Sequence, residues 1–176
     1  MVKQVAIFID GSNLYHRSAR FVPRGKRIDY TKLADLLTSG RPCAAKRYYV
    51  GILRNYDESS KSQRLVRVQR GFLNGLVRRD GYVIKKGRMQ YSGVRPREKG
   101  VDVKIAIDMV VGAIDDLFDT AILVSSDTDL IPAVKYVRHK GKRVEYVAVS
   151  KTSYNLKKVS DVTTELTAAD IAGICV

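Results

Sequence analysis

Four aspartates stand at the ends of apolar runs or at the start of a helical pattern in this chain. Asp10 closes the run VAIFID, Asp127 and Asp129 follow AILVSS, and Asp102 opens the pattern DVKIAIDMVVGAI. The chain has a formal net charge of +14, so it has little electrostatic reason to gather carboxylates unless they bind a cation. The spacing therefore predicts a cation site made of carboxylate oxygens.

The cation that such residues would bind is a hard divalent ion. Mg2+ and Mn2+ prefer oxygen ligands, and Mg2+ is often held by one or two carboxylates together with substrate phosphate. Such an ion polarises a phosphoryl oxygen and lowers the pKa of a bound water. A basic surface around an acidic, metal-binding pocket suits a protein that binds a polyanion and cuts it. The residues therefore predict a metal-dependent nuclease.

Each aspartate also has a structural explanation when it is taken alone. Asp102 would favour a helix N-terminus through the helix dipole, Asp127 could cap the helix that follows it, and Asp10 could stabilise its own turn. Taken together, three such positions on one edge favour a site. Asp108 follows Asp102 by six residues and lies on a different side of the same helix, where it could pair with a basic residue instead.

Composition indicates a single globular domain whose partner is a polyanion. The 176 residues include 32 Lys and Arg against 18 Asp and Glu. Such an excess concentrates polyanions near the surface, so we expect nucleic acid as the partner, with an anionic membrane surface as the weaker alternative. Cys43 and Cys175 form no disulfide or zinc pattern, and no apolar run reaches the roughly 20 residues that span a bilayer. We expect a soluble, cytoplasmic protein and leave its oligomeric state open, a homodimer included.

The elements that must position the aspartates alternate between strands and helices. Short apolar runs predict five strands, at residues 4–9, 45–53, 82–84, 120–125 and 143–149. Helical patterns occupy residues 29–39, 59–79, 101–117, 129–140 and 167–174. This alternation predicts a mostly parallel sheet with helices on both faces. Ligands bind such sheets beyond the carboxyl ends of the strands, where Asp10 and Asp127 would face one crevice.

The helix predicted at residues 59–79 has two side-chain stripes. Leu65, Val68, Phe72 and Leu76 recur every three or four residues, which predicts the buried face. A separate basic stripe consists of Arg64, Arg67 and Arg70. It is typical of a solvated helix face, although it could also extend a basic surface.

Residues 85–100 are basic and punctuated by glycine, which predicts a long loop or a small hairpin. The candidate RNA contacts in this segment are its basic residues and one tyrosine, namely Lys85, Lys86, Arg88, Tyr91, Arg95, Arg97 and Lys99. The tyrosine could stack on a base, as aromatic side chains do when single strands are bound. The alternative is a solvated, mobile charged segment.

Three longer segments carry a family resemblance. They are FIDGSNLY at 8–15, EKGVDVKIAIDM at 98–109 and LVSSDTDLIPAVKYVRHKGKRVEYVAV at 123–149. In this order they resemble NYN domains, which are PIN-like nucleases, and they are most similar to the LabA-like bacterial subgroup. The segment SYNLKKVSDVTTELTAADI at 153–171 resembles the one that follows the last strand in LabA-like members. We expect an NYN domain at 1–149 and, packed on it, a C-terminal extension with a short helix at 150–176.

The resemblance implies a PIN-like three-layer α/β/α sandwich with a mostly parallel five-stranded sheet in the order 3-2-1-4-5. It also implies cleavage of RNA that depends on Mg2+ or Mn2+. The catalytic residues carried over by motif are the metal-binding acids Asp10, Asp102, Asp127 and Asp129, with Asn13 as the polar partner in the D-G-S-N turn. Ser126 stands where many relatives have a glycine. Ser12 or Asn13 could cap the helix after that turn.

We therefore expect a ribonuclease, acting as an endonuclease on single-stranded RNA. Asp10, Asp102 and Asp127 would hold one divalent ion, Asp129 would complete the site, and Ser125 or Ser126 would orient ligands or phosphate oxygens. The alternative is a catalytically silent PIN-like module that binds RNA or regulates without cutting. A phosphatase of the haloacid dehalogenase type is disfavoured, because that family needs Asp-x-Asp after its first strand and this chain has Asp-Gly-Ser there.

Overall fold

The computed structural model describes residues 3–57, 59–91 and 96–176. Its strands are Val5–Asp10 (β1), Cys43–Ile52 (β2), Val83–Gln90 (β3), Arg97–Lys99 (β4), Thr120–Val124 (β5), Arg143–Val149 (β6) and Val162–Leu166 (β7). Its α-helices are Gly11–Ser18 (α1), Tyr30–Thr38 (α2), Ser60–Arg78 (α3), Val101–Ile114 (α4), Ile131–His139 (α5), Tyr154–Val159 (α6) and Ala168–Gly173 (α7). A 3-10 turn, Thr128–Leu130, lies directly before α5.

The described strands form one sheet in the order β4-β3-β2-β1-β5-β6-β7. All neighbouring strands are parallel except β3 and β4, which pair antiparallel. The five predicted strands occur in the predicted relative order, because β3, β2, β1, β5 and β6 are the third, second, first, fourth and fifth of them. The carboxyl ends of β1 and β5 are therefore neighbours, as the crevice prediction requires.

The prediction of a five-stranded sheet is wrong, because two edge strands extend it to seven. Three-residue β4 turns back along β3, which confirms the hairpin alternative for residues 85–100 and lengthens β3 to Gln90. At the other edge, β7 pairs with β6 in the segment predicted as an extension. Both added strands are short and mostly polar or half-buried, so no apolar run marks them in the sequence.

Helices cover both faces of the sheet, and β1 shows how. Its residues are all buried, and alternate side chains point to opposite faces. Val5, Ile7 and Ile9 pack in one core cluster, with side chains from α1, α2, α3 and α7. Ala6 and Phe8 pack in the other cluster, with side chains from α4, α5 and α6. The sheet is thus the middle layer of three.

The predicted buried face of α3 is partly wrong. Leu76 is buried and the helix also packs through Leu73, but Leu65 and Val68 are exposed. Phe72 is 38% exposed, although its ring contacts those of Tyr30 and Tyr48. The arginine stripe is exposed as well. Within the described residues, no helix is both long enough and apolar enough to cross a membrane.

Candidate functional site

Asp10 ends β1 at the carboxyl edge of the sheet and begins α1. Its side chain, not that of Ser12 or Asn13, caps this helix, because its Oδ1 accepts a hydrogen bond from the Asn13 backbone N–H at 3.0 Å. Its Oδ2 accepts a second bond from the Ser125 hydroxyl at 3.1 Å. Asp10 as a residue is only 8% exposed. The carboxylate is therefore fixed in place at a buried position.

Three hydrogen bonds fix the segment after β5, and one of them joins it to α1. The Ser126 N–H donates to the Asn13 side-chain oxygen at 3.2 Å, and the Asp127 N–H donates to the Ser125 hydroxyl at 3.2 Å. The Ser126 hydroxyl accepts from Tyr146 at 3.2 Å. Asn13 thus connects α1 to the segment after β5, and Ser125 lies beside Asp10.

Glu98 is an acid at this site that the sequence reasoning missed. It lies on β4, where its Oε2 accepts a hydrogen bond from the Ser12 hydroxyl at 3.0 Å and another from the Gly51 N–H. One carboxylate therefore connects β4, α1 and β2. The signal was present in the sequence, since Glu98 is the single acid in the basic run 85–100 and opens the motif EKGVDVKIAIDM.

The surroundings of Asp10 disfavour the charged form of its carboxyl group. Burial raises the pKa of its carboxyl above the ordinary value, and the negative charges of Glu98 and Asp127 raise the pKa further. The hydrogen bonds from Asn13 and Ser125 act in the opposite direction, and the net direction is upward. A carboxylate that resists ionisation for this reason gains stability from a cation placed near it.

The other predicted acids lie in more open surroundings than Asp10. Asp127 is half-buried and caps the 3-10 turn, since its Oδ1 accepts from the Asp129 N–H at 2.9 Å. Asp129 is exposed within that turn. Asp102 is half-buried in the first turn of α4, a helix that contacts the 3-10 turn. The capping role expected of Asp127 is confirmed, because its side chain caps the 3-10 turn that leads into α5.

The side chains do not form a closed set of metal ligands. Across residues 3–57, 59–91 and 96–176, no three carboxylate, imidazole or thiol groups lie together as a group that could hold one ion. What the structure brings together is a buried Asp10 within the electrostatic influence of Glu98 and Asp127. The donors are all oxygens, so their chemistry fits Mg2+ or Mn2+ better than a softer ion.

Gly11 lets Tyr48 pack directly under the turn that carries Asp10. A Cβ at Gly11 would stand 2.5 Å from the Tyr48 ring, and Tyr48 is itself buried between other core aromatics. We expect Gly11→Ala to lower the free energy of unfolding by about 1–3 kcal/mol, because the ring has no space to retreat into. Urea denaturation measures this.

Gly71→Ala is the matched control for that substitution. Gly71 is in the middle of α3, and nothing lies within 4 Å of a Cβ placed there. Alanine favours a helix interior over glycine by about 1 kcal/mol, so this variant should be as stable as the parent or more stable. Equal effects of the two substitutions would show that the Tyr48 contact does not matter.

The basic residues of the β3–β4 hairpin divide between two sides. Lys85 faces α4, where its Nζ lies 3.0 Å from the Asp108 carboxylate, which also pairs with Arg47 at 3.8 Å and accepts from Tyr49 at 2.8 Å. The expectation that Asp108 pairs with a basic residue is confirmed. Because this pair neutralises Lys85, that residue is less suited to binding phosphate than the sequence indicated.

Four predicted RNA-contacting residues are exposed on the other side of the hairpin: Lys86, Arg88, Arg97 and Lys99. Arg88 is directly opposite Lys99 in the antiparallel pair, so their side chains share a face. That face is the one covered by α3, whose exposed arginines lie on the same side of the sheet. We call these four residues with Arg64, Arg67 and Arg70 the basic face.

Tyr91 packs on one side against another aromatic residue of the chain. Its ring stacks on that of Tyr56, with centroids 4.4 Å apart and planes 22° from parallel. Its hydroxyl accepts from the Arg54 N–H at 2.7 Å. One face of Tyr91 is therefore covered, and Tyr56, which is exposed, presents an aromatic surface that the sequence reasoning missed. Arg95 lies outside the described residues.

Comparison with known proteins assigns the fold to a family. Residues 4–167 match the family model described as NYN domain. The chain belongs to the NYN domain family. Domains of this family are of the PIN-like nuclease type.

A solved structure shares this NYN fold. It is a protein of unknown function from Vibrio parahaemolyticus, with a TM-score of 0.63 and 23% sequence identity. The match covers 94% of this chain and 93% of that one. At this identity the likeness concerns the fold alone. No curated protein matches the chain.

Proposed function

We propose that this NYN domain is a metal-dependent ribonuclease that hydrolyses phosphodiester bonds of RNA. The observation that supports this most is the buried Asp10 carboxylate, whose pKa is raised by burial and by the charges of Glu98 and Asp127. A site that holds several negative charges close together, in a chain with a net charge of +14, fits a divalent cation and a polyanionic substrate.

In this proposal Asp10, Asp102 and Asp127 hold Mg2+ or Mn2+, and Asp129 and Glu98 complete the acidic surroundings. When bound, the ion would polarise the phosphate and make a water molecule more acidic. The residues of the chain do the positioning. Asn13 and Ser125 fix Asp10 and the β5 end relative to each other, and Ser126 offers a polar group to phosphate oxygens.

The finer assignments belong to the same proposal. The three layers and the strand order support a PIN-like architecture, and the motif at 153–171 supports the LabA-like subgroup. We further propose that residues 150–176 belong to the same unit as 1–149, because β7 pairs with β6 and Ile171 packs in the core. Cleavage within the RNA chain and a cytoplasmic location complete the proposal.

The basic face is the proposed path of the RNA. Reversing Lys86 and Arg88 to glutamate should weaken binding of single-stranded RNA and flatten its dependence on salt, because fewer counterions are released. For single strands the slope of log affinity against log salt falls by about 0.7 for each phosphate that the protein no longer neutralises. Fluorescence anisotropy in a salt series, with Ca2+ in place of Mg2+ to prevent cleavage, measures the slope.

The matched control reverses two exposed cations at the amino edge of the sheet, Arg78 at the end of α3 and Lys140 after α5. The same change in net charge at these positions should leave most of the slope intact. If the two double variants lose equal slope, RNA is attracted by overall charge alone and the basic face is not its path.

The second candidate function is an RNA-binding module that does not cut. It is favoured by one observation, that the described acids do not form a ready group of three metal ligands. Incubation of the purified protein with single-stranded RNA and Mn2+, with a chelator control, separates the two functions. Chelator-sensitive cleavage supports the nuclease, and tight binding without any cleavage supports the silent module.

A further inference from the structure

Helix α4 has apolar side chains on its outer side as well as on its buried side. Ile105 and Met109 are fully buried against the sheet. On the opposite side, four apolar residues are exposed at helical spacing: Val103 (55%), Ile107 (55%), Val111 (44%) and Ile114 (53%). We call these four residues the apolar stripe of α4.

The stripe is an extended apolar surface that faces water. α4 is 14 residues long, and at 1.5 Å per residue it extends for about 21 Å. The four side chains expose roughly 350 Å² along that length, which is on the order of the largest apolar patch on a typical monomer. A patch of this kind, formed by one straight helix, is suited to packing against another helix.

The charges beside the stripe indicate what that other helix is. Lys104 and Asp115 are both exposed and lie 11 residues apart, which is three helical turns, so they occupy the same flank of the stripe. If a second copy of α4 packs antiparallel across a two-fold axis near Met109, Lys104 lies beside Asp115 of the partner subunit. The symmetry creates this opposite-charge pair twice.

The net charge of α4 and its C-terminal turn also favours self-association there. Two copies of a chain with a net charge of +14 repel each other over most of their surfaces. Residues 101–117 run against that trend, with four aspartates and one lysine. Contact through α4 therefore joins the two copies at a segment that lacks the positive charge of the rest of the chain.

From these observations we propose that the chain forms a homodimer with two-fold symmetry through the apolar stripe of α4. Such closed two-fold dimers are the commonest form of protein oligomer. The helices are antiparallel, so the two candidate sites, each near the start of its α4, lie at opposite ends of the interface. α4 and α3 cover opposite faces of the sheet, so the basic face remains open on both copies.

The test uses the full chain, freed of nucleic acid, in sedimentation equilibrium. The parent should be a dimer at micromolar concentrations, and Ile107→Lys with Val111→Lys should be a monomer, since two charges would be buried in the interface. Val68→Lys is the control, because Val68 is an apolar residue on α3 that is also exposed, by 60%. That variant should remain a dimer, and circular dichroism should show all three folded.

A charge exchange tests the antiparallel arrangement itself. Lys104→Glu and Asp115→Lys should each weaken the dimer by about tenfold, because each turns two attractive pairs into repulsive ones. The double variant should recover most of that loss, since it restores opposite charges in the reverse order. A monomeric parent, a Val68 variant that alone dissociates, or a double variant as weak as the sum of the single changes would each overturn the proposal.

Discussion

Changing Asp10 and Asp127 to asparagine should abolish metal-dependent cleavage of RNA and leave the fold intact. Each substitution removes a negative charge that the proposed ion needs, and loss of one preorganised electrostatic group typically costs roughly 100- to 1,000-fold in rate. Asparagine keeps the oxygen that accepts from Asn13 or from the Asp129 N–H, so both caps survive. Cleavage of a labelled single-stranded RNA in Mn2+ measures the effect.

The stability of Asp10→Asn alone provides a readout that does not depend on turnover. Because the folded-state pKa of Asp10 is raised, the folded protein holds its proton to higher pH than the unfolded chain does. The free energy of unfolding therefore decreases as pH rises above 3.8, the ordinary value, and the charged carboxylate costs stability at neutral pH. Without metal, the asparagine variant should melt at a higher temperature than the parent at pH 7.

Metal should reverse that order. Mn2+ should raise the melting temperature of the parent, because an ion that binds only the folded state stabilises it, and should leave the double variant unchanged. The matched control is Asp29→Asn with Asp170→Asn, which removes two charges at helix N-termini elsewhere. If the control loses as much activity as the test variant, or if the test variant cuts at the parent rate, the site is misplaced.

The central sheet could be predicted because its strands are apolar runs buried on both sides. β1, β5 and β6 each lie between two strands and have helices on both faces, so nearly every side chain is buried and the sequence shows it. β7 has the sequence VTTEL and pairs on one side only, with two exposed residues. Nothing local distinguishes such a segment from a loop until its neighbour β6 is in place.

Helix orientation was harder to predict where a helix has apolar residues in more than one direction. In α3, Val68 lies to one side of the line formed by Leu73 and Leu76, which faces the sheet, and Leu65 is exposed although it is three turns from Leu76 on the same side. In α4, both sides are apolar. Periodicity shows that a stripe exists, but it does not show which stripe the sheet covers when the helix offers two.

The candidate site was partly predictable because strand ends are local features and their convergence follows from sheet order. Asp10 and Asp127 end up at neighbouring strand ends for that reason. Glu98 was missed because its position depends on a three-residue strand that turns back along β3. Its contact with Ser12 joins residues 86 positions apart, so a lone acid in the basic segment does not by itself show which strand end it reaches.

Glu98→Gln should separate a role in metal binding from a role in holding the hairpin. Glutamine has the same length and keeps one oxygen to accept from Ser12 or the Gly51 N–H, but it has no charge. We expect the apparent affinity for Mn2+ in the cleavage assay to fall by about 10- to 100-fold, as it does when groups around a metal site are changed. The unfolding free energy should change much less.

The pH dependence of cleavage also tests Glu98→Gln, because the variant should shift it in one direction. The charge of Glu98 raises the pKa of Asp10, so its removal should lower that pKa and move the acid limb of the cleavage profile to lower pH. Glu165→Gln, on β7 at the far edge of the sheet, makes the same chemical change and should move neither quantity.

A purely structural Glu98 would behave in the opposite way. The variant would then melt at a lower temperature while its Mn2+ affinity and acid limb stayed with those of the parent. If both quantities move as expected, the acid that the hairpin contributes acts on Asp10 through its charge. The short β4 strand would then be part of the site, because pairing with β3 is what brings Glu98 to the end of β1.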